Sequence, residues 1–371
     1  MHIENKVGEY GKVIIVTGMQ YGSEGKGAIT SYLAPVMSVG VRTGAANAGH
    51  TIYFKGKKFV MRQIPSVWIN PLAKLVVGIG SIINLDILLK EIEIVNKIIP
   101  IKDRLYIDRN AFVVTQKQID EEKKSNLGSR IGSTSALSGK GIGTATADKI
   151  LREEECLQAK EVPELKPYLA DTVDLINTQL DHDQFVLLEG TQGFKLSIEH
   201  GTFPFVTSRD VSATAIAASA GISTHQFEVE VVGVTRTYPI RVAGNSGPFA
   251  EDSEEVNWDY VTKRSGAKKY KIHITEKTSV TNRLRRIATF SKMDFEKAVQ
   301  VNRPTEIVVT FADYLDWKVH EKEKITRSID NFMEMIEDLS RGVPVTLLKT
   351  GPKTVIDFNH YRRNILRRLV D

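Results

Sequence analysis

The stretch that decides the fold reads Val13-Ile-Ile-Val-Thr-Gly-Met-Gln-Tyr-Gly-Ser-Glu-Gly-Lys-Gly27. Residues 13–17 form a β-branched run typical of a buried strand, and the glycines after it predict a loop that enters a helix at about 27–33. Glycines let successive amide N–H groups face an anion, while the helix N-terminus and Lys26 add positive charge. The pattern differs from a Walker A loop, because Gly27 replaces the magnesium-binding Ser or Thr. We therefore predict a phosphate-binding loop; a purely structural turn is the alternative.

The same strand-and-helix pattern continues along the chain. Further buried strands are predicted at 75–80, 185–188, 229–233, 306–310 and 343–347. Residues 51–54 and 58–61 predict a β-hairpin, and 85–95 has the apolar spacing of a helix. Because helical patterns separate most strands, we expect a P-loop-NTPase-like α/β fold, with a large, mostly parallel central sheet flanked by helices.

Three glycine-rich or polar segments, 125–146, 190–209 and 243–282, are predicted to lack regular structure. Long loops in a compact enzyme commonly serve as lids or binding loops, so we expect them at the active site. The sequence has no internal repeat and no low-complexity linker, so residues 1–371 are predicted to form a single domain.

Composition narrows the class of protein. A hydrophobic content of 42% and a lone cysteine, Cys156, indicate a globular protein of a reducing, cytoplasmic setting. The most apolar long segment, 75–89, is interrupted by Asn84 and Asp86, so no membrane partner is expected. The net charge of +5 favours anionic ligands. Nucleic acid is not expected as a partner, because no zinc-finger spacing or RNA-binding motif accompanies the basic clusters 283–286 and 362–368.

Two motifs point to a family. Gln20-Tyr-Gly-Ser-Glu-Gly-Lys-Gly27, followed by Asn47-Ala-Gly-His-Thr51, closely resembles the adenylosuccinate synthetases, whose motifs read Gln-Trp-Gly-Asp-Glu-Gly-Lys-Gly and Asn-Ala-Gly-His-Thr. Further segments that match in the same order are 62–66, 131–134 with 139–143, 189–193, 200–208, 283–286 and 350–352. Several collinear motifs are more specific than any single one, and the resemblance spans almost the whole chain.

This resemblance implies a two-step ligase reaction with Mg²⁺ as cofactor. The purine 6-oxygen attacks the γ-phosphate of a triphosphate, and the aspartate amine then displaces phosphate from C6. The catalytic residues implied are Ser23, Lys26 and His50. Triphosphate binding is implied for Gly22, Glu24, Gly25, Lys26, Gly27, Gly49, His50, Thr51, Asp313, Thr350, Gly351 and Pro352. Purine monophosphate binding is implied for Ser23, Asn47, Ser133, Thr134, Gln192, Thr207 and Val242, aspartate binding for Thr281, Arg283 and Arg285, and metal binding for Ser23 and Gly49.

One departure from the family's motif bears on which purine nucleotide is the acceptor. Ser23 occupies the position of the family's catalytic aspartate, and a serine hydroxyl is a very weak base near neutral pH. A carboxylate there would accept from guanine N1–H and the 2-amino group and would hold the unreactive keto form. Ser23 and the short chain resemble the 2-aminoadenylosuccinate synthetases of diaminopurine-genome phages, which implies dGMP as acceptor and, for a phage enzyme, the host cytoplasm. An IMP-using synthetase and a non-catalytic nucleotide-binding homologue are the alternatives.

The donor triphosphate and the assembly are expectations of the same kind. The family's guanine-binding Thr-Lys-Leu-Asp matches residues 310–313, where Asp313 is kept and Phe311 replaces the lysine. ATP or dATP is therefore favoured, with GTP left open, since an aromatic ring can stack on adenine. The family is homodimeric, so a homodimer is expected, with Arg152 as the candidate arginine that reaches the partner's site. Discrimination between deoxyribose and ribose is expected to involve 241–246.

Overall fold

The first strand, the loop after it and the helix that follows lie where the sequence predicts them. A computed structural model of the protein describes residues 11–125, 128, 139–278 and 282–358. The strands in chain order are β1 (Lys12–Gly18), β2 (Val39–Arg42), β3 (His50–Phe54), β4 (Lys57–Met61), β5 (Lys74–Val77), β6 (Ile82–Ile83), β7 (Leu105–Asp108), β8 (Phe112–Val113), β9 (Leu157–Gln158), β10 (Leu169–Ala170), β11 (Val186–Glu189), β12 (Glu228–Arg236), β13 (Ile240–Arg241), β14 (Glu255–Val256), β15 (Arg286–Ala288), β16 (Glu306–Thr310), β17 (Val345–Lys349) and β18 (Val355–Asp357). The α-helices are α1 (Lys26–Leu33), α2 (Leu85–Asn96), α3 (Gln116–Lys124), α4 (Ile142–Leu151), α5 (Thr172–Asp181), α6 (Ala213–Ala220), α7 (Trp258–Arg264), α8 (Lys292–Asn302) and α9 (Arg327–Leu339).

A central sheet of 10 strands organises the molecule, in the order β10-β7-β5-β2-β11-β1-β12-β16-β17-β18. All neighbouring strands are parallel except β17 and β18 at one edge. This confirms the expected mostly parallel sheet flanked by helices. Since β1 lies between β11 and β12, the loop after β1 emerges at the carboxyl edge of the sheet, where ligands of open α/β sheets bind.

Both faces of β1 are buried, which explains its unbroken apolar run. Ile14 and Val16 pack on the face that α1 covers, through Ile29. Val13 and Ile15 pack on the opposite face, against α5 and α6. A strand covered on both faces has no polar alternation, and its position in the middle of the sheet follows from that pattern.

The β3–β4 hairpin is confirmed, with a tighter turn than predicted. Lys57 pairs with Phe54, so only Lys55 and Gly56 form the turn. Both have positive φ, 48° and 76°, as a two-residue hairpin turn with the twist of the strands requires. The hairpin carries His50 at its first position and so projects it toward α1.

Two predictions about the loops are wrong in part, since helix α4 already begins at Ile142 inside segment 125–146. Segment 243–282 was expected to lack regular structure, yet it contains β14 and helix α7. Asn257 caps α7 by accepting from the amide of Tyr260, and Trp258 and Val261 are buried. A polar N-cap with two apolar anchors is enough to form a helix in a segment that is otherwise charged. Among the residues that the structure describes, no helix is long and apolar enough to cross a membrane.

Candidate active site

The loop between β1 and α1 is built around a buried ion pair. Glu24, with no exposed surface, accepts from the backbone N–H groups of Gln20 and Gly22 at 3.2 and 2.7 Å. Its second oxygen lies 2.6 Å from Lys26 Nζ, which is itself only 3% exposed. A Cβ on Gly18 would lie 2.6 Å from the Glu24 carboxylate and would displace this ion pair. The acid thus shapes the loop and positions the lysine that faces the cavity.

The close approach of α1 to β3 accounts for the departure from a Walker A loop. A Cβ on Gly27 would lie 2.7 Å from the Cβ of His50. A serine or threonine cannot occupy this position without moving the hairpin. The glycine therefore brings the His50 ring beside the phosphate loop, where both line the same cavity.

His50 is oriented by a buried carboxylate at the end of β11. Its Nδ1 hydrogen-bonds to Glu189, which also accepts from the Ser66 backbone N–H at 2.6 Å and the Ser66 hydroxyl at 2.7 Å. Arg42 completes the cluster, 3.3 Å from the same carboxylate. Burial would raise the pKa of Glu189, but Arg42 and His50 outweigh it and lower that pKa to about 2. An ionised Glu189 holds the imidazole by Nδ1 and leaves Nε2 for a ligand.

A titration of His50 followed by NMR is expected to show a ring that is neutral at neutral pH. Burial and the nearby Arg42 lower its pKa to about 4, although Glu189 acts in the opposite direction. Since the unfolded chain binds this proton near pH 6.5, stability should fall as the pH drops from about 6.5 to about 4. A bound polyphosphate adds negative charge and should raise the His50 pKa. His50→Asn identifies the resonance, and a ring with an ordinary pKa in the free protein would contradict this picture.

Ser23 lies at the exposed tip of the loop and faces a basic cluster. Its φ is 59°, in the left-handed region, and its hydroxyl accepts from Arg285 Nη1 at 2.9 Å. Arg236 donates to the Ser23 carbonyl at 3.2 Å and pairs with Glu276. The hydroxyl is thus held by a cation and, among the described residues, has no carboxylate partner, so the local chemistry favours an anion or a polar ligand edge near Ser23.

Aromatic and charged side chains line another part of the cavity, with Arg236 buried behind them. The Arg236 guanidinium lies 3.9 Å from the centre of the Phe311 ring. Trp317 and His320 are stacked, with ring centres 4.1 Å apart. Lys349 Nζ is held by the carbonyls of Gly351 and Pro352, at 2.5 and 2.6 Å, and burial lowers its pKa to about 8. These rings and their charged neighbours offer flat, polar-edged surfaces of the kind on which an aromatic ligand can stack.

One cavity of about 1430 Å³ brings most of the predicted residues together. This exceeds the roughly 300–1,000 Å³ of a typical single-ligand site, so more than one substrate has room. The predicted residues that line it are Gly22, Ser23, Gly25, Lys26, Gly27, Asn47, Gly49, His50, Thr51, Gln192, Thr207, Val242, Arg285, Asp313, Gly351 and Pro352.

The remaining predicted residues lie elsewhere. Glu24 is buried beneath the loop, and Thr350 is buried with its hydroxyl on the Lys322 carbonyl at 2.9 Å. Arg283 is exposed outside the cavity lining, and Arg152 is exposed at the end of α4. Ser133, Thr134 and Thr281 fall outside the described residues.

Sequence reasoning missed several charged residues that form the site. They are Arg42, Glu189, Arg236, Glu276, His320 and Lys349. Four of them could have been found from the sequence. A parallel strand of the central sheet ends at each of these four, which are Arg42, Glu189, Arg236 and Lys349. Charged residues that close a buried parallel strand gather at its carboxyl edge, where ligands bind. Glu276 and His320 lie in connecting segments and carry no comparable signal.

The protein oxygens at this site fit an Mg²⁺ ion that is held largely by water and substrate phosphates. Among the described residues, no group of three or more His, Cys, Asp or Glu side chains is placed to hold a metal ion. Mg²⁺ is commonly bound by one or two protein oxygens together with water and substrate phosphates. Ser23 and Gly49 both line the cavity beside the β1–α1 loop, and a hydroxyl and a backbone carbonyl are oxygens of that kind.

Comparisons with known proteins agree on one family. The family model for adenylosuccinate synthetase matches residues 15–162 and 153–322. The adenylosuccinate synthetase of Archaeoglobus fulgidus is 37% identical over 357 residues, which cover 94% of this chain and 98% of that protein. The solved succinoaminodeoxyadenylate synthetase of cyanophage S-2L, bound to dGMP and to dATP as an energy donor, has a TM-score of 0.78 at 28% identity and covers 94% of this chain and 95% of its own. The fully ligated adenylosuccinate synthetase of Plasmodium falciparum, 21% identical, has the same fold at a TM-score of 0.78, over 94% of this chain and 100% of that one.

Proposed function

This chain belongs to the adenylosuccinate synthetase family of C–N bond-forming ligases, and we propose that it joins L-aspartate to C6 of dGMP. The product is 2-amino-N6-succinyl-2′-deoxyadenylate, a precursor of the diaminopurine nucleotide. Hydrolysis of ATP or dATP drives the reaction through a 6-phosphoryl intermediate, with Mg²⁺ as cofactor.

Ser23 is the observation that carries the choice of dGMP. Ser23 lines the cavity and its hydroxyl is held by Arg285, whereas Glu24, the carboxylate of the same loop, is buried beneath it. Guanine presents N1–H and a 2-amino group, which a carboxylate would grip in the keto form. A serine avoids this grip and leaves space for the 2-amino group. The similar cyanophage synthetase, solved with dGMP and dATP, supports the same choice.

Chain length does not distinguish the acceptors. The match to the Archaeoglobus fulgidus synthetase covers 94% of this chain and 98% of that one, so a protein named adenylosuccinate synthetase is about equally long. Those curated names favour the second candidate, an ordinary synthetase that uses IMP and GTP. The proposal of dGMP therefore depends on Ser23 and on the structural neighbour.

The side chains of this site have separable tasks in the proposed reaction. Lys26 neutralises charge on the transferring phosphoryl oxygens, and bound Mg²⁺ supplies further neutralisation there. His50 presents Nε2 toward that group; with Nδ1 committed to Glu189, it can donate from Nε2 only as the imidazolium. Binding of the anionic triphosphate promotes that protonation. Arg285, which donates to the Ser23 hydroxyl, binds a carboxylate of aspartate in this proposal.

A substrate matrix tests the proposal. The purified protein receives Mg²⁺ and aspartate with dGMP or IMP, and ATP or GTP, and mass spectrometry detects the succinyl product. We expect product with dGMP and ATP and little with IMP. Product only with IMP would establish the ordinary synthetase. No product in any combination would support the non-catalytic homologue.

A further inference from the structure

The carboxylate that sequence matching assigns to the donor base is already engaged. Asp313 is 3% exposed, and its Oδ2 lies 2.7 Å from His320 Nδ1. Its other oxygen is buried and has no hydrogen-bond partner among the described residues. The side chain that reaches further out is His320, which is 34% exposed and borders the cavity.

Two contacts hold His320 over this carboxylate. Its ring stacks on Trp317, with the two planes 10° apart, and its backbone N–H donates to the Trp317 carbonyl at 3.1 Å. The short turn Trp317–Val319 that precedes it is itself capped by Asp316. His320 is therefore positioned by its own segment as well as by Asp313.

A guanine base needs the carboxylate that His320 occupies. Recognition of guanine by an acid uses both carboxylate oxygens, one for N1–H and one for the 2-amino group. Both oxygens of Asp313 are free of competition for guanine only if His320 leaves, which costs the hydrogen bond and the stacking contact. Adenine has neither N1–H nor a 2-amino group, so it forgoes no hydrogen bond to Asp313 when His320 masks that carboxylate. Blocking an acceptor that a competing ligand needs is an established route to specificity.

We propose that His320 is a specificity-determining residue for the donor triphosphate, which selects against guanine by occupying the Asp313 carboxylate. The inference rests on the proposed function only in that the cavity takes a nucleoside triphosphate. In this inference the residue that excludes GTP, His320, lies outside both the phosphate loop and the acceptor site.

Binding of non-hydrolysable triphosphates tests the inference without any acceptor. Dissociation constants of AMP-PNP and GMP-PNP are measured by calorimetry on the full chain with Mg²⁺. The unchanged protein should bind AMP-PNP more tightly. His320→Ala should bind GMP-PNP about tenfold more tightly than before, the effect of gaining hydrogen bonds to a charged group, with AMP-PNP affinity unchanged. His320→Asn keeps a donor near the Nδ1 position and should retain discrimination.

Two further variants separate masking from a general effect. In the double variant Asp313→Ala/His320→Ala the gain for GMP-PNP should disappear, because the acceptor is gone. His182→Ala removes an exposed histidine whose ring bonds the Thr178 carbonyl, and it should change neither constant. An unchanged ratio of the two constants in His320→Ala, or tighter binding of GMP-PNP by the unchanged protein, would overturn the inference. Because no acceptor is present, a failure to make succinyl product would count against the proposed function alone.

Discussion

Lys26→Met is expected to lower kcat by about 10²–10³-fold, the usual effect of removing one charge-stabilising group from a transition state. Lys26 is buried, borders the cavity and lies at the start of α1, where in the proposed reaction the loop amides and the helix N-terminus would also face the phosphate. Its charge acts on the phosphoryl oxygens as they develop charge, so kcat should fall more than binding weakens. Steady-state kinetics with saturating triphosphate gives this comparison.

The same variant should also lose stability, for a separate reason. Methionine leaves the Glu24 carboxylate buried without its cation, and breaking a buried ion pair in this way costs about 3–5 kcal/mol. The double variant Glu24→Gln/Lys26→Met should recover most of that stability, because the glutamine oxygen can still accept from Gln20 and Gly22. It should not recover activity. Recovery of both properties would show that Lys26 is only a structural partner of Glu24.

Much of the fold could be predicted because its strands are covered on both faces. Strands β1, β11 and β16 contain unbroken apolar runs, whereas β12 and β17 are interrupted by Glu230 and Thr346. This largely apolar pattern is typical of central parallel strands. Strand β2 was missed because Val39–Arg42 contains Gly40 and ends in an arginine, which weakens the apolar pattern. Gly40 is nevertheless required, since a Cβ there would lie 2.6 Å from Val67. Close packing between distant segments decides such positions, and a single sequence does not display it.

The candidate site, like the fold, could be predicted from the sequence only in part. Glycine spacing and motif resemblance pointed to the β1–α1 loop and to His50, which line one cavity, because the residues of each motif are neighbours along the chain. The partners of these residues come from remote segments. Glu189 reaches His50 across 139 positions, and Arg236 reaches the Ser23 carbonyl across 213. Only the sheet topology brings these groups to one edge, so their pairing and the resulting pKa shifts could not be derived from local pattern.

Ser23→Asp is expected to reverse the acceptor preference from dGMP toward IMP. The backbone permits the change, because aspartate tolerates the left-handed φ of 59° at this position better than most residues. The new carboxylate would lie beside Arg285, whose Nη1 is 2.9 Å from the serine hydroxyl, and this pairing would keep it ionised. A positioned base for the N1 proton should raise kcat/KM for IMP on the order of 10²-fold. With dGMP the same group should grip N1–H and the 2-amino group, so kcat should fall.

Ser23→Asn is the matched control for that experiment. Asparagine has nearly the shape of aspartate and also tolerates a positive φ, but its amide is not a base. If the carboxylate acts as a base, the asparagine variant should gain no activity with IMP, whereas a purely steric effect would give both variants the same preference. Selectivity between dGMP and IMP that stays unchanged in Ser23→Asp would refute the role given to Ser23. Because that residue carries the choice of dGMP, the acceptor would then have to be assigned from the substrate matrix alone.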